Sequence, residues 1–416
     1  MRTLARIALI LLAGQGLGRG AQAVYGVLLV RVLSPAGYGD FAYALAIAGT
    51  GVIVADLGFA RLMVRDVARA SDSATRAREM LKARAPGVLA VTVLCGIGAA
   101  SGVTGVSPML ALASTVFLGA ESFAYGYESA AVGSERPARF ASVQLLSGVA
   151  VVLAGVAVVT APSVSPAGAM ACLAGTSLVK VSAHRVLWRG GRVRPLRALP
   201  VRTWTRDAAP FLALAVLAAV YYRAGIVVLH ATVGPSRTAP FAAAMRIFDA
   251  AALVGGIGFS AVSPLISRIH RDRPDELWAV WKRLIGRAAV VVVPGAALAM
   301  AAAEPLAGAI FGAEYREPVG SLLAILLPGM AFAILQNLSA AVVFMSDDRR
   351  DVLRLTILNV SVLLTMIVVL TTTEGARGTA VAITVAEALS FLSFTALVRR
   401  RHRAPVSAPL AAETAR

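Results

Sequence analysis

The sequence predicts an all-α polytopic membrane protein: twelve transmembrane helices in two six-helix lobes, with both termini on the inner side. Three observations carry that expectation. Of 416 residues, 58% are hydrophobic and only 15% charged, with a mean hydropathy of +0.76, a composition that places most of the chain in lipid. Apolar windows of about 20 residues, long enough to cross a bilayer at about 1.5 Å per residue, recur twelve times. Basic residues crowd alternate gaps between the windows and are sparse in the others, as inner and outer loops require.

The windows fall at residues 7–32, 40–61, 86–104, 109–131, 140–160 and 167–187, then at 208–231, 240–263, 285–303, 319–343, 353–373 and 378–398. The first is the least ordinary. Its apolar run from Ile7 to Val30 carries Gln15, Arg19 and Gln22 near the middle, and inserting an arginine at that depth costs roughly 2.5 to 3.5 kcal/mol. Facing a wet cavity or an anion offsets that cost. Arg2 and Arg6 ahead of an apolar block, with Ala21-Gln22-Ala23 behind it, imitate a secretory signal, but the apolar run continues past the small residues. Gly16-x-Gly18-x-x-Ala21 fits a loose dinucleotide fingerprint but lacks the preceding strand. Gly14, Gly16, Gly18 and Gly20 are expected instead to let a second helix approach closely.

With the N-terminus inside, the inner segments hold 32 basic residues, most of them at 61–84, 185–206 and 268–287; the outer loops hold only Arg31, Arg237, Arg316 and Arg377. A missed helix would reverse this bias midway, so it supports both span count and orientation. The stretch 61–84 reads as a loop whose periodic cations suit an anionic leaflet surface. Outer loops are short, the longest around residues 304–318, which leaves no room for a folded outer domain. Gly255-Gly256-Gly258, Pro294-Gly295 and Pro328-Gly329 mark points where spans bend.

A net charge of +18 does not indicate a nucleic-acid partner, because aromatic residues make up only 6% of the chain and the charges sit in short gaps. Cys95 and Cys172 lie in apolar segments and make no disulfide framework. His184, His230, His270 and His402 are too scattered for a metal centre. No metal and no cofactor is expected.

Leu33-Ser34-Pro35 followed by Phe41 and Ala44 recurs as Val233-Gly234-Pro235 followed by Phe241 and Ala244, a constant offset of 200. Together with matching hydropathy and loop charge, this points to two similar halves. The expected organisation is an N-lobe over residues 1–188, a basic cytoplasmic linker at 189–206, a C-lobe over 207–398 and a basic cytoplasmic tail at 399–416.

Residues 31–68, RVLSPAGYGDFAYALAIAGTGVIVADLGFARLMVRDVA, resemble the signature of the Wzx-type polysaccharide flippases of the multidrug/oligosaccharidyl-lipid/polysaccharide (MOP) superfamily. The Leu-x-Pro-x-x-Tyr-Gly turn and the Asp-Leu-Gly followed by Arg-Asp carry the likeness. YYRAGIVVL at 221–229, VGPSRTAPFAAAMRIFD at 233–249 and EPLAGAIFGAEY at 304–315 agree with it. One departure stands out: many relatives place an acidic residue two positions after the arginine of the seventh span, where this chain has Gly225. The resemblance implies two lobes around a central cavity, working by alternating access on polyprenyl-diphosphate-linked sugars.

The charges inside the spans reach a compatible place. Arg19, Arg223 and Arg246 come from the first, seventh and eighth spans and fall in the middle or outer part of the bilayer. Three guanidiniums in low-dielectric surroundings suit a diphosphate, because each presents a forked donor set and stays charged. The competing reading pairs them internally with Glu121, Asp249 and Glu387. Arg246 and Asp249, three apart on one helix, are expected to neutralise each other; alternatively the arginine exchanges Asp249 for the diphosphate. Glu121, Asp249 and Glu387 are the candidate coupling carboxylates, with a hydrogen-bonded protonated carboxyl as the alternative for Glu121 and Glu387. Asp56, Glu128 and Lys180 lie near the inner face, where snorkelling or a helix-end contact accounts for them.

The expected function is a non-enzymatic flippase moving polyprenyl-diphosphate-linked oligosaccharide across the cytoplasmic (inner) membrane for polysaccharide export. Its expected partners are that glycan, membrane lipids, and the glycosyltransferases and polymerase of the same pathway. The alternatives are a multidrug or metabolite exporter of the same superfamily, for which three arginines match cationic drugs poorly, and a membrane-embedded glycan polymerase or ligase. The latter needs a catalytic acid or base on a sizeable outer loop.

Overall fold

A computed structural model of the chain describes residues 2–102, 105–134, 136–187, 201–273, 276–344 and 349–403. These form α1 (Arg2–Val32), α2 (Pro35–Asp56), α3 (Phe59–Arg69), α4 (Ser73–Ala100), α5 (Pro108–Gly133), α6 (Pro137–Thr160), α7 (Pro166–Leu187), α8 (Val201–Val233), α9 (Pro235–Asp272), α10 (Leu277–Ala301), α11 (Ala303–Phe311), α12 (Arg316–Phe344) and α13 (Arg349–Arg403). Nine helices among the described residues are long and apolar enough to cross a membrane. The chain is an all-α, multi-pass membrane protein. Each expected window coincides with the body of a helix, the last two being the arms of α13, which breaks at Gly375 (φ 59°, ψ −130°).

Local chemistry explains the starts. Proline opens α2, α5, α6, α7 and α9, where its missing N–H would have no partner anyway. The Ser34 and Ser107 side chains accept from the N–H groups of Gly37 and Leu110, capping α2 and α5. The offset of 200 recurs in three dimensions: Pro35 and Pro235 both open helices, and Phe41 and Phe241 are both completely buried.

Several expectations are corrected. Residues 61–84 are not a loop but two helices, the end of α3 and the start of α4, joined at residues 70–72. In α3, Phe59, Leu62, Met63 and Val67 form one buried face while Arg61, Arg65 and Arg69 are exposed, and α4 starts at Ser73 under an Asp72 cap. The second span ends at Asp56 because Leu57 (φ 52°) and Gly58 (φ 76°) turn left-handed. Residues 304–318 hold α11 and a 3-10 turn at Ala313–Tyr315. Pro294 and Pro328 each lie inside a helix, and the break at Gly375 is the turn between the last two spans. On α1, Gly14 and Gly18 lie against Ala141 and Gln144 of α6, whereas Gly16 and Gly20 meet nothing within 4 Å. Of the linker expected at 189–206, residues 201–206 are the first turns of α8; the remainder, and the tail beyond Arg403, lie outside the described residues.

In the first half α1 runs along α6 and α5 along α7; in the second, α12 is flanked by α9, α10, α11 and α13, with α8 on α13. The halves meet where α2 lies against α8 and α9, and where α1 touches α9 and α11. At the opposite end from the α1–α2 turn, α3 packs on α8: Gly58 sits so close to the Ala208 carbonyl that a Cβ would overlap it, and the Arg76 guanidinium stands 4.6 Å above the Trp204 ring.

Candidate functional site

The site lies where the starts of α2 and α9 meet. The Leu-x-Pro-x-x-Tyr-Gly segment builds that meeting. Leu33 is buried, Ser34 caps the helix, Pro35 opens it, and Tyr38 is completely buried one turn later. A Cβ on Gly39 would overlap the Pro235 carbonyl of α9, so only glycine permits this backbone approach. The contact brings Tyr38 to Arg246, whose Nε donates to the Tyr38 hydroxyl at 3.3 Å. On its other side the guanidinium lies on Gly26 of α1: a Cβ there would stand 3.1 Å from Nε and 3.3 Å from Cζ.

Gln15, Arg19, Gln22 and Gly26 fall at i, i+4, i+7 and i+11, one face of α1. The first three are exposed, and the fourth carries Arg246. Arg19 therefore stands two turns, about 10 Å, along the axis from the Arg246 seat, and no hydrogen bond or ion pair engages it among the described residues. Arg223 of α8 lies 3.6 Å from Asp249 of α9, with side chains 33% and 35% exposed, a loose pair. Arg246 and Asp249, expected to neutralise each other along α9, thus take different nearest partners. The slot between α1 and α2 draws the guanidinium across, and Asp249 reaches Arg223 instead. Asp249 thus pairs Arg223 with the helix that carries Arg246, and Arg246 rests on Gly26, two turns along α1 from Arg19.

The carboxylates separate into two groups. Glu387, on the second arm of α13, is 1% exposed; neither carboxyl oxygen makes a well-formed hydrogen bond, and its polar neighbour is Tyr221. Tyr221 stands two residues before Arg223 on α8, so Glu387 faces the same stretch of that helix. Glu121 does not. It accepts from Ser177 Oγ at 2.7 Å and from Lys180 Nζ at 2.8 Å. Lys180 also bridges to Glu128, which accepts from Gln144 at 2.8 Å. The snorkelling expected of Lys180 and Glu128 is not what the structure shows: Lys180 is 6% exposed and is held between two carboxylates of α5. Asp56 does make a helix-end contact, accepting the Ala60 N–H at 2.9 Å, and it also pairs at 2.9 Å with Arg84. Arg84 is fully buried and donates to the Ser122 carbonyl.

Sequence reasoning missed Tyr38 and Gly26 as partners of Arg246, although both carried a signal. Tyr38 stands inside the quoted motif, and Gly26 continues the spacing of Gln15, Arg19 and Gln22. It also missed two ties near the α1–α2 turn. His230 Nε2 lies 3.0 Å from Asp40 Oδ1, its ring stacked on Tyr43 at 4.0 Å. Arg31 donates to the carbonyls of Ala309 and Ile310 at the end of α11, where the helix dipole favours a cation. At Gly225 a Cβ would meet Thr379, Phe241 and Ile383 at 3.1 to 3.4 Å; helix packing leaves no space there for a carboxylate.

A model of the polysaccharide biosynthesis protein family matches residues 4–270. No curated protein matches the sequence significantly. Among solved structures, the chain is similar to an inward-facing multidrug resistance MATE family transporter of the MOP superfamily, with TM-score 0.74 and 15% identity over 95% of this chain and 98% of that one. It is similar to the lipid II flippase MurJ in an inward closed conformation, with TM-score 0.76 and 10% identity over 94% and 87%. A MOP superfamily transporter from Pyrococcus furiosus gives TM-score 0.68 and 16% identity over 96% and 95%. At such identities these likenesses establish the fold, while the family match takes in well over half of the sequence: the chain belongs to the polysaccharide biosynthesis protein family.

Proposed function

We propose that the chain is a flippase that carries polyprenyl-diphosphate-linked oligosaccharide across the cytoplasmic membrane for polysaccharide export. One observation carries the reading: the row of three arginines drawn from both halves. Arg223 is loosely paired, Arg246 is seated between the halves, and Arg19 is exposed. A diphosphate entering such a place gains charge-assisted, forked hydrogen bonds where little water competes. The family's description, polysaccharide biosynthesis protein, supports a glycan substrate, and the name of one structural neighbour, a lipid II flippase, supports a lipid-linked one.

In this reading residues 1–188 and 207–398 are two lobes, with N- and C-termini in the cytoplasm. The polyprenyl tail stays in lipid while the headgroup crosses between the lobes as they rock. The step is carriage without covalent chemistry, so the pathway's glycosyltransferases and polymerase act before and after it. Asp249, paired with Arg223, and Glu387, buried against Tyr221 of the same helix as Arg223, are the better-placed coupling carboxylates; Glu121 is occupied by Lys180. Single alanine substitutions of Arg19, Arg223 and Arg246 test the assignment. Each is expected to lower glycan export about ten-fold or more at equal protein level, the loss of a charged hydrogen-bond set; unchanged export in all three sinks it.

A further inference from the structure

Arg246 is the only one of the three arginines whose guanidinium is fixed by groups from the other half of the chain among the described residues. We infer that Gly26 and Tyr38 are positioning residues that seat Arg246, setting the plane in which it offers its forked edge to the diphosphate of the lipid-linked substrate. The inference rests on the diphosphate reading of Arg246 given above.

Three features of the seat support it. Tyr38 is completely buried and stacks with Phe41 at 6.3 Å, in the first turn of a helix capped by Ser34, so its hydroxyl has little freedom. It accepts from Nε, the one guanidinium nitrogen that is not at the forked end, and this orients the two terminal nitrogens without consuming them. Gly26 supplies the opposite surface: a Cβ would approach Nε, Cδ and Cζ at 3.1 to 3.3 Å, so the flat guanidinium lies on bare backbone, and any side chain would tilt or lift it. The acid on the same helix, Asp249, forms its ion pair with Arg223; it attracts Arg246 only through its field, so the directional contacts on that guanidinium come from Gly26 and Tyr38.

The seat also places the substrate along α1. Gly26 shares its face with Gln22 and Arg19, so a headgroup held at Arg246 meets the exposed polar edge of that helix next. Because Gly26 and Tyr38 belong to the first half and Arg246 to the second, the seat exists only where α1 and α2 lie against α9. Separating them frees the guanidinium and weakens the grip on the diphosphate.

The test is the affinity of the purified full-length protein in detergent for geranylgeranyl diphosphate and for geranylgeranyl monophosphate. Tyr38→Phe keeps the buried ring and removes only the acceptor. Gly26→Ala adds one methyl against the far end of a flexible side chain, a contact that yields without unfolding. Each is expected to weaken diphosphate binding about five-fold, the scale of one hydrogen bond, and to lower the preference for diphosphate over monophosphate. Arg246→Ala is expected to weaken it further, and in that background neither Tyr38→Phe nor Gly26→Ala adds anything. If Arg246→Ala weakens binding while the other two leave affinity and preference intact, the seat is refuted and the diphosphate reading stands. If their losses persist in the Arg246→Ala background, they act through helix packing, and the inference is equally overturned. If Arg246→Ala leaves binding unchanged, the diphosphate reading itself fails and takes the seat with it.

Discussion

Lys180 holds together two acids that have no other cation among the described residues. Glu121 and Glu128 are seven apart on α5, so they share a face, and the ammonium of α7 sits between them with Ser177 and Gln144 completing the set. Removing one partner of a buried ionic set strands the remainder in low dielectric, at a cost of about 3 to 5 kcal/mol. Lys180→Met is therefore expected to lower the thermal midpoint in detergent sharply. The triple change Lys180→Met, Glu121→Gln, Glu128→Gln recovers most of the loss, because no charge is then left unpaired. Asp56 and Arg84 obey the same rule: Arg84→Met strands Asp56 beneath α3, with a loss of about 3 kcal/mol or more in unfolding experiments. At this scale the sequence was least legible. It showed that Arg19, Lys180, Arg223 and Arg246 lie within spans, since an isolated charge in an apolar run is visible in one dimension. Which group each one meets is decided by helix rotation and neighbour choice, so Lys180 was expected at the membrane surface and Arg246 beside Asp249.

Among the elements, α2 does the most to define the site. Its first two turns carry a cap, a helix-opening proline, the Arg246 partner and, at Gly39, a backbone-to-backbone contact with Pro235. Gly39→Ala puts a methyl against a carbonyl that has no freedom to rotate away. The expected outcome is a destabilisation of about 1 to 3 kcal/mol in chemical unfolding and a weakened α2–α9 contact, seen as slower cross-linking between cysteines introduced on the two helices. The long helices were legible because each buries or exposes to lipid some 20 apolar residues in an unbroken run. The nine residues of α11 are too few to stand out as a span, and α3 escaped because it is short and mixed in polarity: it is held by one apolar face against α4, α5 and α8, which a hydropathy window averages away with its arginines. The Asp-Leu-Gly motif was visible as a likeness only. The structure supplies its physical meaning: Asp56 accepts the Ala60 N–H in the first turn of α3, and Leu57 and Gly58 make the left-handed corner that lets α3 reach α8.

For the whole molecule, the first half touches the second at two well-separated ends. Near the α1–α2 turn lie the Gly39–Pro235 approach, the Asp40–His230 contact and the Arg31 bonds to α11; at the far end α3 and Arg76 meet the start of α8. Alternating access requires that the two ends not stay closed together throughout a cycle. In a background with Cys95 and Cys172 changed to alanine, Asp40→Cys with His230→Cys, joined by a short bifunctional thiol reagent, is expected to stop glycan export in cells. Export that continues at the uncross-linked rate would show that this end need not open. The central claim, that arginines from both halves carry a diphosphate headgroup, is tested most directly in proteoliposomes. The measurement is the initial rate at which the purified protein moves a fluorescent polyprenyl-diphosphate oligosaccharide between leaflets, compared with the variant carrying Arg19→Ala, Arg223→Ala and Arg246→Ala. The account predicts transfer by the unaltered protein, slower transfer of the monophosphate-linked analogue, and a variant no faster than protein-free vesicles. A variant that moves the substrate at the unaltered rate would contradict it.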